Sequence, residues 1–313
     1  MEKDARILVA GSDTLAGAAI LAALEQRGYR HIAQAAAGET DLTDRATVAA
    51  LMRVTAPAFV FVAAGEAGGI HANRAKPASL MLDNLLSGSH LVDAACRHGV
   101  TKLLYLGSSC MYPRDCPQPM RESYLMTGPL EPTSAAYAIA KIAGITLCQA
   151  YRNEYGADFV AAIPANPFGP GDEFSPKRAH VIPALIERMH AAKRTDTPEV
   201  GVWGTGAPRR DFIYSADLAD ACLFFMERYS GADPINVGSG IGVTIRELAE
   251  AIKKTVGYRG LLRFDNTKPD GMLAKVLDTT QATELGWRPR ICLEEGLKTT
   301  YDWFLTHAPQ AGR

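Results

Sequence analysis

Short apolar strands alternate with amphipathic helices through the first half of the chain, and this alternation restricts the possible folds more than any other feature. Strands are predicted near 6–10, 31–36, 59–62, 102–106 and 159–163, and helices near 14–27, 45–54, 77–98 and around Tyr137. Units of this kind place their strands in one parallel sheet, because each connecting helix carries the chain back across a face of that sheet. We therefore expect an α/β fold with a doubly wound parallel sheet.

The pattern changes after Pro164. Proline and glycine, which interrupt regular structure, crowd the next segment at positions 167, 169, 170, 171 and 176. The predicted organisation is one domain over 1–165 and mainly a smaller lobe over 166–313. Two strand-like segments within about 211–240 are expected to return to the large sheet, at 211–214 and 234–237. The two lobes are therefore expected to interleave without a linker.

Composition excludes several classes of partner. The 313 residues are 47% hydrophobic and 21% charged, which is typical of a globular chain. A formal net charge of -1 offers no broad positive field, so we expect no nucleic-acid partner. No apolar stretch reaches the roughly 18 residues that span a bilayer, so we expect no membrane partner. The six cysteines lack metal-site spacing and no signal peptide is recognised, which favours reduced thiols, no bound metal and a cytoplasmic location.

The turn between the first strand and the first helix is rich in glycine. It reads Gly11-Ser12-Asp13-Thr14-Leu15-Ala16-Gly17. At this place in a doubly wound sheet, N–H groups at the start of the helix bind a pyrophosphate, so we assign the turn to a dinucleotide and the fold to the Rossmann type. Thr14 stands where a second glycine is expected and would bring a side chain close to the cofactor. Domain 1–165 is thus predicted to bind a dinucleotide, and the smaller lobe to bind the substrate.

The end of the second strand leaves the cofactor preference open. An acidic residue there accepts a hydrogen bond from the ribose 2′-hydroxyl of NAD, whereas an arginine pairs with the 2′-phosphate of NADP. The sequence has Ala35-Ala36-Ala37-Gly38 instead. Asp13 would repel a phosphate if its side chain points inward. Asp41 and Leu42 are candidates for contact with the adenine, although the neighbouring Asp44 is equally suited to begin a helix.

A serine, a tyrosine and a lysine have the pattern of a reduction centre. Tyr137 and Lys141 are four residues apart and share one helix face, where the ammonium can lower the pKa of the phenol. Ser108 follows the fourth strand and can share a substrate oxygen with Tyr137. In this hypothesis Tyr137 donates a proton as a hydride arrives from a nicotinamide, and Lys141 binds the ribose hydroxyls.

Cys110 is a residue that such a reduction alone does not need. One interpretation is that the thiol is a small buried apolar group. The other is that Cys110 acts with His180, in the segment expected to cover the site. A thiolate and an imidazolium on opposite sides of a sugar ring could remove and return protons on carbons beside a ketone. Such a pair would make the enzyme an epimerase as well as a reductase.

Several longer motifs carry a resemblance to a known family. They lie at 68–70, 106–113, 131–133, 137–144, 180–185 and 268–271. On these motifs nearly the whole chain resembles the extended short-chain dehydrogenase/reductase family, and within it the branch that epimerises and reduces a GDP-4-keto-6-deoxy sugar. The resemblance implies an NADP(H) cofactor, a GDP-sugar substrate and a role in nucleotide-sugar metabolism for polysaccharide biosynthesis. It also implies a homodimer formed by the 77–98 helix and the Tyr137 helix.

The resemblance assigns roles to individual residues. Ser108, Tyr137 and Lys141 match the reduction triad, while Cys110 and His180 match an epimerisation base and acid. Further cofactor contacts are implied at Ala63, Ala64, Gly65, Leu106, Gly107, Pro164 and Asn166, together with Ser108, Lys141 and His180. Substrate contacts are implied at Ser109, Asn166, Arg188, Trp203, Arg210, Asp270 and Lys275.

The chain also departs from the family pattern. Asp13 and Ala37 replace the arginines that bind the 2′-phosphate, so NAD(H) is an alternative cofactor, and Glu66 replaces a lysine. Residues that differ nearer the substrate are Ala165, Pro167, Phe168 and Ala274. These changes suggest the same chemistry on a related sugar, such as a GDP-4-keto-6-deoxy-heptose. Two alternatives stay open: a C4 reductase in which Cys110 and His180 only pack or orient, and a cofactor-binding sensor without turnover.

Overall fold

The computed structural model describes most of the chain, namely residues 1–66, 68, 70–175, 178–268 and 270–307. Nothing is described of the side chains of residues 70 and 71. Three residues of the sequence motifs and of the proline-rich segment lie outside the described part: Gly69, Pro176 and Pro269.

Parallel strands and covering helices form the larger lobe. Its first strands are β1 (Arg6–Ala10), β2 (His31–Ala35), β3 (Phe59–Val62), β4 (Lys102–Leu106) and β5 (Asp158–Pro164). The helices between them are α1 (Leu15–Gln26), α2 (Arg45–Thr55), α3 (Ile70–Ala75), α4 (Pro77–Arg97) and α5 (Ala135–Tyr155). Both β2 and β3 pair with β1, so the order of the strands reverses there. Ligands of such sheets bind at the carboxyl ends of the strands beside the reversal.

The second part of the chain is built from shorter elements. Its strands are β6 (Asn166–Phe168), β7 (Glu199–Trp203), β8 (Arg209–Arg210), β9 (Phe212–Tyr214), β10 (Ile235–Val237), β11 (Val243–Thr244), β12 (Leu261–Asp265) and β13 (Ala274–Lys275). Its helices are α6 (Val181–Arg194), α7 (Ser215–Arg228), α8 (Ile245–Val256), α9 (Thr280–Glu284) and α10 (Leu293–His307). A separate apolar cluster that includes Leu185, Leu248 and Phe304 forms the core of the smaller lobe.

The two predicted returns to the large sheet have different outcomes. β10 pairs in parallel with β5 and completes a six-stranded sheet in the order β10-β5-β4-β3-β1-β2, so the Rossmann-type doubly wound fold is confirmed. The expectation for 211–214 is wrong, because β9 pairs with β6 in a separate two-stranded sheet. The backbone N–H and the side-chain amide of Asn166 both donate to the carbonyl oxygen of Asp211, and these bonds attach the strand to β6.

No helix in the described part of the chain is both long enough and apolar enough to cross a bilayer. Among the same residues, no three His, Cys, Asp or Glu side chains are grouped so that they could hold a metal ion.

Candidate active site

The glycine turn after β1 brings two segments of backbone into close contact. Gly11 has φ of +82°, and a Cβ atom there would lie 2.5 Å from the Cα atom of Ala64. A Cβ atom on Gly17 would lie 2.0 Å from the carbonyl oxygen of Gly11. Only glycine fits both positions, so the turn is tight and the start of α1 lies close to the strand ends. Because helix geometry leaves the N–H groups of the first turn without intrahelical acceptors, this cradle fits the pyrophosphate of a dinucleotide.

Thr14 closes the glycine turn, although the sequence predicts that its side chain lies close to the cofactor. Its hydroxyl oxygen accepts from the N–H of Gly17 at 3.0 Å, so Thr14 caps α1. The same hydroxyl lies 2.8 Å from the carbonyl oxygen of Gly11 and 3.2 Å from that of Ala63. The side chain is therefore engaged within the turn and ties it to the end of β3.

The side chain of Asp13 reaches from the glycine turn to the end of β2. Both of its carboxylate oxygens are 3.1 Å from the backbone nitrogen of Ala37, which donates to them. This is the strand end that contacts the adenosine ribose in dinucleotide-binding sheets. The chain therefore holds a carboxylate at this strand end, although Asp13 comes from the glycine turn and not from β2.

The loop after β3 borders the other side of the cradle. Ala63 and Ala64 are buried, and Gly65 has φ of +115°. A Cβ atom on Gly65 would lie 2.1 Å from Oδ1 of Asn84, a residue that the sequence analysis missed. The side-chain amide of Asn84 donates to the carbonyl oxygens of Glu66 and Leu80, while its Oδ1 is a buried acceptor without a partner in the described part of the chain. Asn84 thus fixes this loop and leaves an acceptor beside the cofactor path.

The other predicted cofactor contacts lie along the same sheet edge. Leu42 and Leu106 are buried, and the Asp41 carboxylate accepts from the N–H and the hydroxyl of Thr43. Ser12, Gly107 and Pro164 stand in the turn or at the strand ends after β1, β4 and β5.

The reduction triad comes from β4 and α5. Ser108 begins a 3₁₀ turn over Ser109–Met111, and its hydroxyl accepts from the N–H of Cys110 at 3.2 Å. A hydrogen bond links the side chains of Ser108 and Tyr137. Lys141 lies one helical turn after Tyr137 on α5, with its ammonium nitrogen 6.0 Å from the centre of the phenol ring. The structure therefore brings the three predicted side chains together.

Burial sets the protonation of Lys141 and Tyr137. Lys141 is 5% exposed and donates to the carbonyl oxygens of Ala64 and Leu106, and burial lowers its pKa to about 8. Burial, followed by the nearby Cys110, raises the pKa of Tyr137, while the hydrogen bond from Ser108 lowers it. The expectation that Lys141 lowers this pKa is wrong for the protein without ligands, because loss of hydration outweighs the distant ammonium. Tyr137 is therefore protonated at neutral pH, as a proton donor must be.

Cys110 stands beside a cation. The ammonium nitrogen of Lys275 donates to its Sγ atom at 3.2 Å. Burial alone would raise the pKa of the thiol, but the charge and hydrogen bond of Lys275, with hydrogen bonds from Ser108 and Ser134, lower it. The sequence predicts that Lys275 holds the substrate, and no motif indicates its contact with Cys110. Cys110 therefore has the surroundings of a reactive thiol and not those of an inert packing group.

His180 stands just before α6, on the smaller lobe. It is the N-terminal flanking residue of that helix, and its side chain makes no capping hydrogen bond. Loss of hydration, followed by the charge of Lys275, lowers the pKa of its imidazole. Lys275 is therefore within electrostatic reach of both Cys110 and His180, which are 70 residues apart in the sequence numbering.

A buried carboxylate joins the two lobes near the site. Asp211 is fully buried and accepts from the N–H and hydroxyl of Ser239 and from the N–H groups of Gly240 and Leu277. Burial still raises its pKa to about 6. Its backbone carbonyl holds Asn166. The sequence analysis assigned no role to Asp211, whose partners come from segments that only the tertiary fold brings together.

Most of the predicted substrate residues belong to the smaller lobe, whereas Ser109 follows β4 of the larger lobe, and they differ in how many hydrogen bonds they already make. The guanidinium of Arg188 donates to the carbonyl oxygens of Ala184 and Gly201, and the Asp270 carboxylate accepts from the N–H and hydroxyl of Thr205. Trp203 is 57% exposed and offers a ring face to a ligand. Arg210 is half-buried near Cys110, and Ser109 is buried. The roles of these residues in binding stay predictions.

The fold and this site define a class of protein: an enzyme of the extended short-chain dehydrogenase/reductase type that uses a nicotinamide cofactor. The chain belongs to the NAD dependent epimerase/dehydratase family, whose model matches residues 7–238.

Two characterised relatives extend the match to nearly the full length. The chain is 48% identical over 304 residues to GDP-L-fucose synthase 1 of Arabidopsis thaliana, covering 97% of this chain and 94% of that protein. It is 44% identical over 309 residues to GDP-L-fucose synthase of Escherichia coli strain K12, covering 96% of each. Among solved structures, a GDP-6-OMe-4-keto-L-xylo-heptose reductase from C. jejuni matches with a TM-score of 0.93 at 30% identity, over 98% of this chain and 99% of that one.

Proposed function

We propose that the protein is an NAD(P)H-dependent epimerase/reductase that acts on a GDP-4-keto-6-deoxy-hexose, as the GDP-L-fucose synthases do by their name. One observation carries this proposal: Ser108 interacts both with the protonated Tyr137 and with Cys110, whose thiol contacts the Lys275 ammonium. Reduction needs the first group, and epimerisation beside a ketone needs the second.

In the reductive step the chain supplies orientation and one proton. The nicotinamide, when bound, supplies a hydride to C4 of the sugar. Ser108 and Tyr137 hold the C4 oxygen, and the Tyr137 hydroxyl gives its proton to that oxygen as negative charge develops. Lys141, one helical turn after Tyr137 on α5, would hold the ribose hydroxyls of the bound cofactor.

In the epimerisation the same carbonyl makes the protons on C3 and C5 acidic. The Cys110 thiolate takes a proton from one face of the sugar, and His180 returns one to the opposite face. Ser108 and Tyr137 hold the enolate oxygen meanwhile. At each carbon one C–H bond breaks and one forms, so the configuration inverts without any change in oxidation state.

The smaller lobe is suited to a nucleoside diphosphate. Arg188 and Arg210 supply cations for the two phosphates, and the exposed ring of Trp203 supplies a stacking surface for the base. Asp270 holds the turn at Thr205, directly after Trp203, and so fixes the position of that ring.

A spectrophotometric assay with GDP-4-keto-6-deoxy-mannose and with its heptose analogue tests the substrate class. We expect oxidation of the reduced cofactor with the hexose. Turnover of the heptose alone would favour the second candidate, a C4 reductase of a GDP-heptose, which the similarity to the C. jejuni heptose reductase supports. Oxidation with neither sugar would contradict both.

We further propose that the cofactor preference is for NAD(H). The Asp13 carboxylate faces the end of β2 and accepts from Ala37, so it can also accept from a ribose 2′-hydroxyl. A doubly charged 2′-phosphate at about 4 Å from this carboxylate would be repelled by about 2 kcal/mol even in water. Since about 1.4 kcal/mol corresponds to tenfold in affinity, we expect NADH to bind at least about tenfold more tightly than NADPH.

Fluorescence titration with each reduced cofactor measures this preference without any turnover. The double change Asp13→Arg and Ala37→Arg should reverse the ratio of the two dissociation constants, because it restores cations at the 2′-position. Glu25→Arg is the matched control, since it makes the same change in charge as Asp13→Arg at an exposed position near the other end of α1. Tighter binding of NADPH by the unchanged protein would refute the proposed preference.

The molecule is also proposed to be a cytoplasmic homodimer. Apolar side chains remain exposed on the two helices expected to form the interface, at Leu82 of α4 and Ile139 of α5. These two helices pack against each other within one chain and would pack against the same pair of a second copy.

A further inference from the structure

Lys275 and Cys110 form a buried contact between an ammonium group and a thiol. Lys275 reaches the thiol from β13, in a part of the chain far from β4 in sequence, and is only 9% exposed. Burying an ammonium against a neutral thiol costs free energy, because the charge loses hydration and gains only a weak acceptor. The same contact becomes favourable when the sulfur is ionised.

The backbone on both sides of Lys275 is held firmly. β13 pairs with β8 so that Lys275 lies opposite Arg210, and the carbonyl oxygen of Lys275 accepts from the N–H of Asp211. On the other side, the N–H of Val276 donates to the Gln118 side chain. The position of the ammonium is therefore fixed by the fold and does not depend on a bound substrate.

Lys275 also lacks a carboxylate that would neutralise it. The ion pairs found among the described residues do not include Lys275. The other groups that face the Cys110 sulfur are the hydroxyls of Ser108 and Ser134, the phenol of Tyr137 and the more distant guanidinium of Arg210. None of these is an anion at neutral pH, so within the described part of the chain no ion pair competes with the sulfur for the charge of Lys275.

We propose that Lys275 is the positioning residue that keeps Cys110 ionised, and that it thereby makes the thiol the base of the epimerisation. This inference rests on the proposed function, whose base it explains. The thiol proton leaves to solvent before substrate binds. The thiolate then takes the proton from the carbon beside the ketone, and Lys275 retains its own proton throughout.

The same cation separates the roles of Cys110 and His180. Positive charge favours a thiolate and disfavours an imidazolium, so Lys275 lowers the pKa of both groups. Because its pKa is lowered, a larger fraction of Cys110 is the thiolate at neutral pH and can take a proton, while the protonated form of His180 is a stronger acid and gives its proton up more readily. This assignment makes Cys110 the residue that takes the proton and His180 the one that returns it.

Alkylation of Cys110 by iodoacetamide tests the proposal in the enzyme without substrate. The rate at Cys110 is followed by peptide mass spectrometry as a function of pH, because only the thiolate reacts. In Lys275→Met the inflection should move upward by roughly one unit or more, which lowers the rate near neutral pH by about tenfold. Lys275→Arg should restore most of the original profile.

Two controls keep the result interpretable. Lys254→Met removes an exposed lysine of α8 and should leave the profile unchanged, and the exposed Cys292 reports reactivity unrelated to the site in every variant. Retained NADH binding establishes that Lys275→Met is folded. An unchanged inflection in folded Lys275→Met overturns the proposal. Because the readout needs no sugar, it is independent of the proposed function, which fails instead if the unchanged enzyme shows no turnover.

Discussion

Replacing Tyr137 by phenylalanine should lower the rate of reduction by about 10²–10⁴-fold, the usual contribution of a positioned proton donor. The phenol is buried beside Ser108 and its pKa is raised, so the group that donates at neutral pH is the neutral hydroxyl. Phenylalanine keeps the ring and removes only the hydroxyl group that carries this proton. Stopped-flow measurement of cofactor oxidation with a saturating GDP-4-keto sugar gives the rate.

The variant should still exchange sugar protons with solvent, at a reduced rate, because Cys110 takes the proton while Ser108 alone then holds the enolate oxygen. Tyr155→Phe is a matched control on the same helix, since Tyr155 lies near its last turn and is exposed. A Tyr137→Phe enzyme that reduces at the original rate would remove Tyr137 from the mechanism.

Changing Cys110 to serine should suppress exchange at C3 and C5 by at least about 10²-fold while sparing hydride transfer. A serine hydroxyl does not ionise at neutral pH, so the ammonium of Lys275 has no anion to hold. The measurement is deuterium incorporation into the sugar in heavy water, without reduced cofactor. Reduction of a ketone that is already epimerised should continue, since Ser108, Tyr137 and Lys141 are unchanged.

The pH dependence of exchange follows from the same pair. Burial raises the pKa of Cys110, but the charge of Lys275 and the hydrogen bonds to the sulfur lower it overall. The thiolate is the main form above that pKa. Exchange in the unchanged enzyme should therefore rise with pH through this value and be lost on acidification. Cys292→Ser is the control, because it makes the same change at an exposed cysteine. If exchange is undiminished in Cys110→Ser, Cys110 is not the base, and the alternative of a C4 reductase in which Cys110 only packs or orients explains the site better.

Much of the central sheet could be predicted from the sequence, because local pattern determines it. β3 and β4 begin and end where their apolar runs do, and the helix ends differ by one residue or so. β9 was assigned to the wrong sheet because its three buried residues carry no information about their pairing partner. The side chain and N–H of Asn166 fix that pairing, because both donate to the carbonyl oxygen of Asp211, a residue distant in sequence.

The site was predictable where a motif fixes geometry and less so where charge and burial decide. The YxxxK spacing placed Tyr137 and Lys141 on one helix face, as the structure has them. The pKa of Tyr137 depends on how much water the assembled lobes exclude, which no spacing encodes. Lys275 reaches Cys110 only because β13 pairs with β8, so its contact could not be found before the fold was known.

Asp13 and Thr14 depart from the family pattern in the glycine turn, and these departures are the basis of the alternative that the protein is a sensor without turnover. Thr14 occupies its position by capping α1 and by bonding to Gly11 and Ala63, which keeps the turn tight. Asp13 bonds to Ala37 at the ribose end. These contacts support the proposed preference for NAD(H) and do not involve the reduction triad, so they are not evidence for a loss of chemistry.

The central claim is that one site carries out both epimerisation and reduction. Its most direct test is the reaction of the unchanged enzyme with GDP-4-keto-6-deoxy-mannose and NADH in heavy water, followed by NMR of the product. The account predicts a sugar reduced at C4, with inverted configuration and deuterium at both C3 and C5. A C4-reduced product that keeps its original protons at C3 and C5 would contradict it.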